Sequence, residues 1–229
     1  VEDFAEKTVV VVGASGAFGA LMARGLIARG ADVRLMVRRP EAVAADLSHL
    51  PVAVADITMR PEVSRALTEV TQGQKIDGIV NCTGVVAFGS VSGLSEEVAN
   101  QLMAVNSLGV LNLTSLASTH LKPGGFLTSF TGVAADMPII GMGAYCASKA
   151  AAKMAMAVAA RELRREKIRV IDVRAPHSET GLANRALEGE APTMPEGLQP
   201  QVVVDRVLDA LAGGEKDLPA EVFGSATSE

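Results

Sequence analysis

Thr8-Val9-Val10-Val11-Val12-Gly13-Ala14-Ser15-Gly16-Ala17-Phe18-Gly19 is the stretch that decides the fold of this chain. Thr8 to Val12 is a short, unbroken apolar run, the pattern of a strand buried on both faces. Gly13-x-x-Gly16-x-x-Gly19 follows directly and opens an amphipathic stretch that runs to about Arg29, where Gly30 closes it. Small residues at a strand-to-helix turn let the backbone approach a pyrophosphate. The helix start adds free N–H groups and a positive dipole end. Ser15, Ala17 and Phe18 sit between the glycines. The turn is therefore predicted to hold a nucleotide; a tight turn without a ligand is the plainer alternative.

The alternation continues outward from this unit. Val33 to Val37, Val52 to Ala55, Ile76 to Asn81, Phe126 to Phe130 and Ile168 to Arg174 read as further strands. Helical stretches fall near Glu41 to Leu47, Pro61 to Gln72, Ser95 to about Leu121, Ala144 to Glu166 and Gln201 to Ala212. A weak last strand is expected near Glu221 to Phe223. Such alternation predicts a parallel sheet covered by helices on both faces. Between Ala175 and Pro200 the chain carries Pro176, Gly181, Gly189, Pro192, Pro195 and Gly197. A segment so long and so rich in breakers reads as a lid over about 176–200.

Composition narrows the function. The 229 residues fit one sizeable α/β domain, and 48% hydrophobic residues can build a large core. The net charge of −5 comes with no basic block, so nucleic-acid binding has no electrostatic support. Gly or charge breaks the apolar runs, so no membrane span is expected. Val1-Glu-Asp-Phe-Ala-Glu-Lys7 is acidic, unlike a signal peptide. Cys82 and Cys146 form neither a metal-binding cluster nor a disulfide framework, and a cytoplasmic location is expected.

Tyr145, the single tyrosine, precedes Lys149 by four residues in Gly143-Ala-Tyr-Cys-Ala-Ser-Lys-Ala-Ala151. On a helix the two share a face. A fixed cation beside a phenol favours its ionised form and brings it toward the range useful for proton transfer. At the end of the second predicted strand, Arg38-Arg39 follows Val37, and no carboxylate comes before Glu41. An acid at this place binds a ribose 2′-hydroxyl and an arginine accommodates a 2′-phosphate, so NADP is favoured over NAD. Asp56 and Ile57, just after the third strand, are placed to meet the adenine ring. Asn81-Cys-Thr-Gly84 ends the fourth strand at the same carboxyl edge.

Taken together, the glycine turn, Asn81-x-x-Gly84 and Tyr145-x-x-x-Lys149 resemble the short-chain dehydrogenase/reductase family over nearly the whole chain. The resemblance implies a single Rossmann-like domain over residues 1–229, a doubly wound parallel sheet in three α/β/α layers. It implies a nicotinamide cofactor and carbonyl–alcohol interconversion. Tyr145 would protonate the carbonyl oxygen. Lys149 would lower the tyrosine's pKa and hold the nicotinamide ribose, and Asn106 would anchor a water feeding protons to Lys149. Asn81 and Gly84 would line the cofactor's path, with Pro176 and Thr180 at the nicotinamide. Family members pair through their fourth and fifth helices, which implies a homodimer or homotetramer.

The chain departs from the family pattern in three places. The middle glycine of the turn, Gly16, comes one residue early. The family serine thirteen residues before the tyrosine is Gly132 here, with Thr131 and Ser129 close by. Either a shift in the loop brings the Thr131 hydroxyl into the site, or the hydroxyl is missing. His177 stands where many members have glycine, and Thr180 arrives one residue early. Val85, Val86, Phe88 and Val133, with the lid, form mostly apolar candidate walls, which favours a neutral or hydrophobic ketone, aldehyde or secondary alcohol. The missing serine motivates a rival reading as a nucleotide-binding regulatory or redox-sensing protein without catalysis.

Overall fold

The computed structural model describes residues 3–224. Seven strands form one parallel sheet: β1 (Thr8–Val12), β2 (Asp32–Val37), β3 (Val52–Val54), β4 (Ile76–Asn81), β5 (Leu121–Phe130), β6 (Arg169–Val173) and β7 (Asp217–Leu218). Their spatial order is β3-β2-β1-β4-β5-β6-β7. The helices are α1 (Ala17–Ala28), α2 (Arg60–Thr71), α3 (Glu96–Met103), α4 (Gly109–His120), α5 (Gly143–Glu162) and α6 (Pro200–Gly213).

The unbroken valine run of β1 has a direct cause. Val9 and Val11 face a core shared with α1 and α6, while Val10 and Val12 face a second core under α2, α4 and α5. All four valines are essentially inaccessible to solvent, each worth roughly 1.5–3 kcal/mol of burial. The doubly wound sheet in three layers is thus as expected. Strand order reverses between β1 and β4, so a crevice opens at their carboxyl ends.

Three local readings change. Glu41 to Leu47 is not a helix but two short 3-10 turns, Pro40–Ala42 and Ala45–Leu47. Only Leu47 of these two turns is buried, so no apolar face supports a longer helix. The last strand is Asp217–Leu218 rather than Glu221 to Phe223, which forms a helical turn after Pro219. Pairing to β6 fixes it there, with Arg174 N donating to Leu218 O at 2.9 Å. The single helix expected from Ser95 to Leu121 is broken by a π-helical turn at Ala104–Leu108. The whole run Glu96–His120 is long and apolar enough to cross a membrane by composition alone, but about half of it is buried in this fold. Its buried side rests in the α2–α5 layer, the position of a core helix.

Candidate active site

The glycine turn is set by close contacts. Gly13 has φ +83°, and a Cβ there would lie 2.8 Å from the Thr83 side chain. A Cβ on Gly19 would lie 2.3 Å from Gly13 O. Gly16 is different: its nearest contact would be an ordinary 3.4 Å, and it stands at the helix start with extended backbone. The protein's own packing therefore does not demand glycine at position 16, whereas a ligand approaching the backbone would. No side chain caps α1, and its first turn has no acid, leaving the N–H groups of Ala17, Phe18 and Gly19 with the dipole for an anion. Ser15 is exposed beside them. The Phe18 ring turns inward and stacks on Phe130, centroids 4.8 Å apart.

Around this turn the carboxyl edge is firmly built. Asn81 is buried; its Nδ2 donates to Ser129 Oγ at 2.9 Å, and its Oδ1 accepts from Thr83 N and Oγ1. It thus braces the turn through Thr83 rather than offering its amide to the crevice. Asp56 Oδ1 accepts from Thr58 N and Oγ1, and Asn112 Nδ2 donates to Ile57 O, which pins the loop after β3. Arg38 and Arg39 are exposed at the end of β2 and form no ion pair among the described residues. These features fit a dinucleotide with a 2′-phosphate: a cradle that a Cβ would fill, a free helix start and two unpaired guanidiniums.

Tyr145 and Lys149 lie on α5, where Lys149 Nζ sits 5.7 Å from the tyrosine ring centroid. Lys149 is buried and donates to the Phe130 carbonyl at 2.9 Å. Burial pulls its pKa down to about 8, against a smaller opposing effect of Asp172. Burial pushes the Tyr145 phenol up to about 12, with Cys146 contributing. The expected lowering by the lysine is therefore not realised in this structure. The ammonium lies over the ring and bonds Phe130, and desolvation of the phenolate outweighs it. No described protein group hydrogen-bonds the Tyr145 hydroxyl.

Asn106 falls within the π turn, a place where such bulges often serve function. Its Oδ1 accepts from Val85 N at 3.0 Å, and its Nδ2 donates to Val85 O and to Ser148 Oγ. Ser148, which sequence reasoning missed, donates onward to the Tyr145 carbonyl at 2.7 Å. Asn106 thus locks the loop after β4 to α5. A Cβ on Gly84 would lie 3.4 Å from Lys149 Nζ and 3.6 Å from Asn106 Oδ1, so these three meet.

Thr131 is the predicted catalytic residue that the structure turns elsewhere. Its Oγ1 donates to Asp172 Oδ1 at 2.5 Å, and the residue is buried. A desolvated carboxylate next to a hydroxyl takes its proton as a charge-assisted bond. Ser129 is likewise engaged with Asn81. Gly132, at the position of the family serine, has φ +79°. Gly132→Ser is expected to lower the melting temperature by about 2–12 °C, since an L-residue at φ +79°, ψ 164° costs roughly 1–3 kcal/mol. It should not raise turnover, because the backbone itself is shaped differently there. Unchanged stability by calorimetry would contradict this.

The surroundings of Tyr145 are apolar. Val86, Phe88 and Met142 form a buried cluster with Ile139, Tyr145, Cys146, Leu182, Ala183 and Ala186. Val85 packs instead on the α2–α5 core. The segment 176–200 is tied to the loop after β4: Leu187 N donates to Val86 O, Phe88 N to Glu188 O, and Ser95 Oγ to Glu188 Oε2 at 2.6 Å. His177 Nε2 is 3.3 Å from Glu179 Oε1, which accepts from Gly197 N, so it braces that segment. Thr180 Oγ1 accepts from Leu182 N just before the turn at Ala183–Arg185, and Pro176 is half-buried.

The family model for short chain dehydrogenase matches residues 7–191. An uncharacterized oxidoreductase of Methylorubrum extorquens is 32% identical over 173 residues, 72% of this chain and 70% of that protein. The 2,3-dihydro-2,3-dihydroxybenzoate dehydrogenase of Bacillus subtilis is 27% identical, covering 90% of this chain and 89% of its own. Among solved structures, a short chain dehydrogenase from Burkholderia cenocepacia in complex with NADP superposes with TM-score 0.82 at 26% identity, over 96% of this chain and 90% of that one.

Proposed function

The chain belongs to the short-chain dehydrogenase family, and on that premise we propose that it is an NADP-dependent oxidoreductase interconverting a neutral or hydrophobic carbonyl and an alcohol, with Tyr145 as the acid. The observation that carries this reading is the Tyr145–Lys149 pair at the carboxyl edge, its phenol hydroxyl bonded by no described protein group and its ring packed against an apolar cluster. Bound NADPH would supply the hydride. Gly13, Gly16 and the start of α1 would hold the pyrophosphate, Arg38 and Arg39 the 2′-phosphate, and Asp56 and Ile57 the adenine. Pro176 and Thr180 would border the nicotinamide.

Tyr145 keeps its proton at neutral pH, the form that reduction of a carbonyl requires. Lys149, still protonated at pH 7, places a positive charge behind it and would steady the phenolate left when the proton passes to the carbonyl oxygen. Asn106 and Ser148 hold α5 and the loop after β4 in register, which keeps Tyr145 against the cluster of Val86, Phe88 and Met142. Phe88, Met142 and Leu182 exclude water around it. Exposed Leu108, Leu111, Met154 and Val158 on the α4 and α5 side support pairing of chains into a homodimer or homotetramer.

The commitment of Thr131 to Asp172 favours a second reading, a nucleotide-binding regulatory or redox-sensing protein. Assay of NADPH oxidation across a panel of ketones and aldehydes separates the two. Turnover of any member supports the enzyme; tight NADPH binding with none supports the regulator. The cofactor choice has its own test. Arg38→Ala should weaken NADPH binding by roughly 10–100-fold, the loss of a charge-assisted contact worth about 1.5–3 kcal/mol, and leave NADH unchanged. Fluorescence titration reads both, and an equal effect on the two cofactors would refute a phosphate contact.

A further inference from the structure

Charged residues are rare inside a sheet protein, yet Asp172 and Arg174 are both only 8% exposed at the end of β6, under α5. Asp172 Oδ2 accepts from Arg174 Nη1 at 2.8 Å, and its Oδ1 accepts the Thr131 hydroxyl. Arg174 also grips both carboxylate oxygens of Asp217 and lies 2.9 Å from Asp136 Oδ2. Asp136 in turn pairs with Lys153, one turn beyond Lys149 on α5. The cluster therefore holds three carboxylates, Asp136, Asp172 and Asp217, and two cations, Arg174 and Lys153. Lys149 forms no ion pair with these carboxylates; it is held by the Phe130 carbonyl and feels Asp172 through space.

We propose that Asp172 is a positioning residue for the Tyr145–Lys149 pair, anchoring the end of β5 through Thr131 and supplying the negative charge that faces the buried Lys149 ammonium. The geometry supports both parts. Phe130, whose carbonyl accepts the Lys149 hydrogen bond, is the residue immediately before Thr131. Gly132 N donates to Val173 O and Val133 N to Ala175 O, each at 3.0 Å, so the β5 end is stitched to the strand that carries Asp172. Rotation at Thr131 would move the Phe130 carbonyl away from Lys149. The charge supports it too, since burial disfavours the ammonium and Asp172 opposes that effect. The other titratable or charged groups around Lys149 are Tyr145 and Cys146 on α5 itself, Arg174 beside Asp172, and the outer Asp136, Lys153 and Asp217. Asn106, from the π turn, is neutral. The role in proton transfer rests on the reading of Tyr145 and Lys149 as the reacting pair; the clamp on Lys149 is measurable without it.

The test uses the full chain labelled with ε-13C lysine and needs neither cofactor nor turnover. The Lys149 signal is assigned by its loss in Lys149→Met and followed from pH 6 to 11. In Asp172→Asn the titration midpoint should fall by about one pH unit, the low end of what a nearby opposite charge contributes. Thr131→Val, which keeps the carboxylate but frees its position, should shift it less and in the same direction. Unmoved midpoints in both variants, or in Thr131→Val alone if Asp172→Asn does not fold, overturn the proposal and leave the cluster a structural one. In an active enzyme the alkaline limb of the rate profile should follow the same shift. A clean Lys149 shift in a protein with no carbonyl turnover would instead sink the enzymatic reading and keep the clamp.

Discussion

Tyr145→Phe is expected to lower turnover by about 10²–10⁴-fold, the usual worth of a positioned general acid, while NADPH affinity and thermal stability stay near those of the parent. The reason lies in what the hydroxyl touches. No described protein group hydrogen-bonds it, so its removal leaves no buried partner unsatisfied. The ring, by contrast, packs in the apolar cluster with Phe88 and Met142, and phenylalanine preserves that contact. Lys149 still finds the ring face and the Phe130 carbonyl. Steady-state rates with a reducible carbonyl, NADPH binding by fluorescence and a melting curve would together decide the matter. Retained turnover would remove Tyr145 from the chemistry.

Lys149→Met should be as damaging to turnover and should weaken NADPH binding, yet it should hardly change the fold's stability. Burying the ammonium lowers its pKa from 10.5 to about 8, which corresponds to a cost of at most about 3 kcal/mol at neutral pH. Deleting it relieves that cost but leaves the Phe130 carbonyl without its donor, a loss of roughly 1–3 kcal/mol. The two nearly cancel, so the melting temperature should move by no more than about 5 °C. The pH dependence gives the sign. Between pH 8 and the unfolded value, the unfolded chain holds the lysine proton and the folded chain does not. Stability of the parent should therefore rise with pH across that window. Chemical denaturation at pH 7.5 and 10 checks this: the rise should be missing in Lys149→Met, and its persistence would show that another group causes it.

Much of the architecture could be read directly from residue pattern. The β1 valines, the glycine turn and the repeated strand–helix alternation led to the doubly wound sheet, because burial on both faces leaves an unbroken apolar run. Elements held mainly by long-range partners were less legible. Asp217–Leu218 is a strand because Arg174 recruits it, and the π turn at Ala104–Leu108 exists because Asn106 and Ser107 reach α5. Neither leaves a local signature. A signal for the buried clamp was present in the sequence, in the charged pair Asp172 and Arg174 inside an otherwise apolar run, but the groups bonded to it, Thr131, Asp136 and Asp217, are distant in sequence.

From sequence alone, this protein's family resemblance, its glycine turn between β1 and α1 and the shared helical face of Tyr145 and Lys149 were determined, since each depends on short-range spacing. Only the tertiary structure decided what those groups do to one another. It placed the Lys149 ammonium on Phe130 rather than the phenol, and gave the Thr131 hydroxyl to Asp172. It also shaped Gly132 for a backbone that a serine would strain. Hydrogen-bond partners and desolvation are set by what the fold brings within 3 Å, and spacing along the chain does not carry that information.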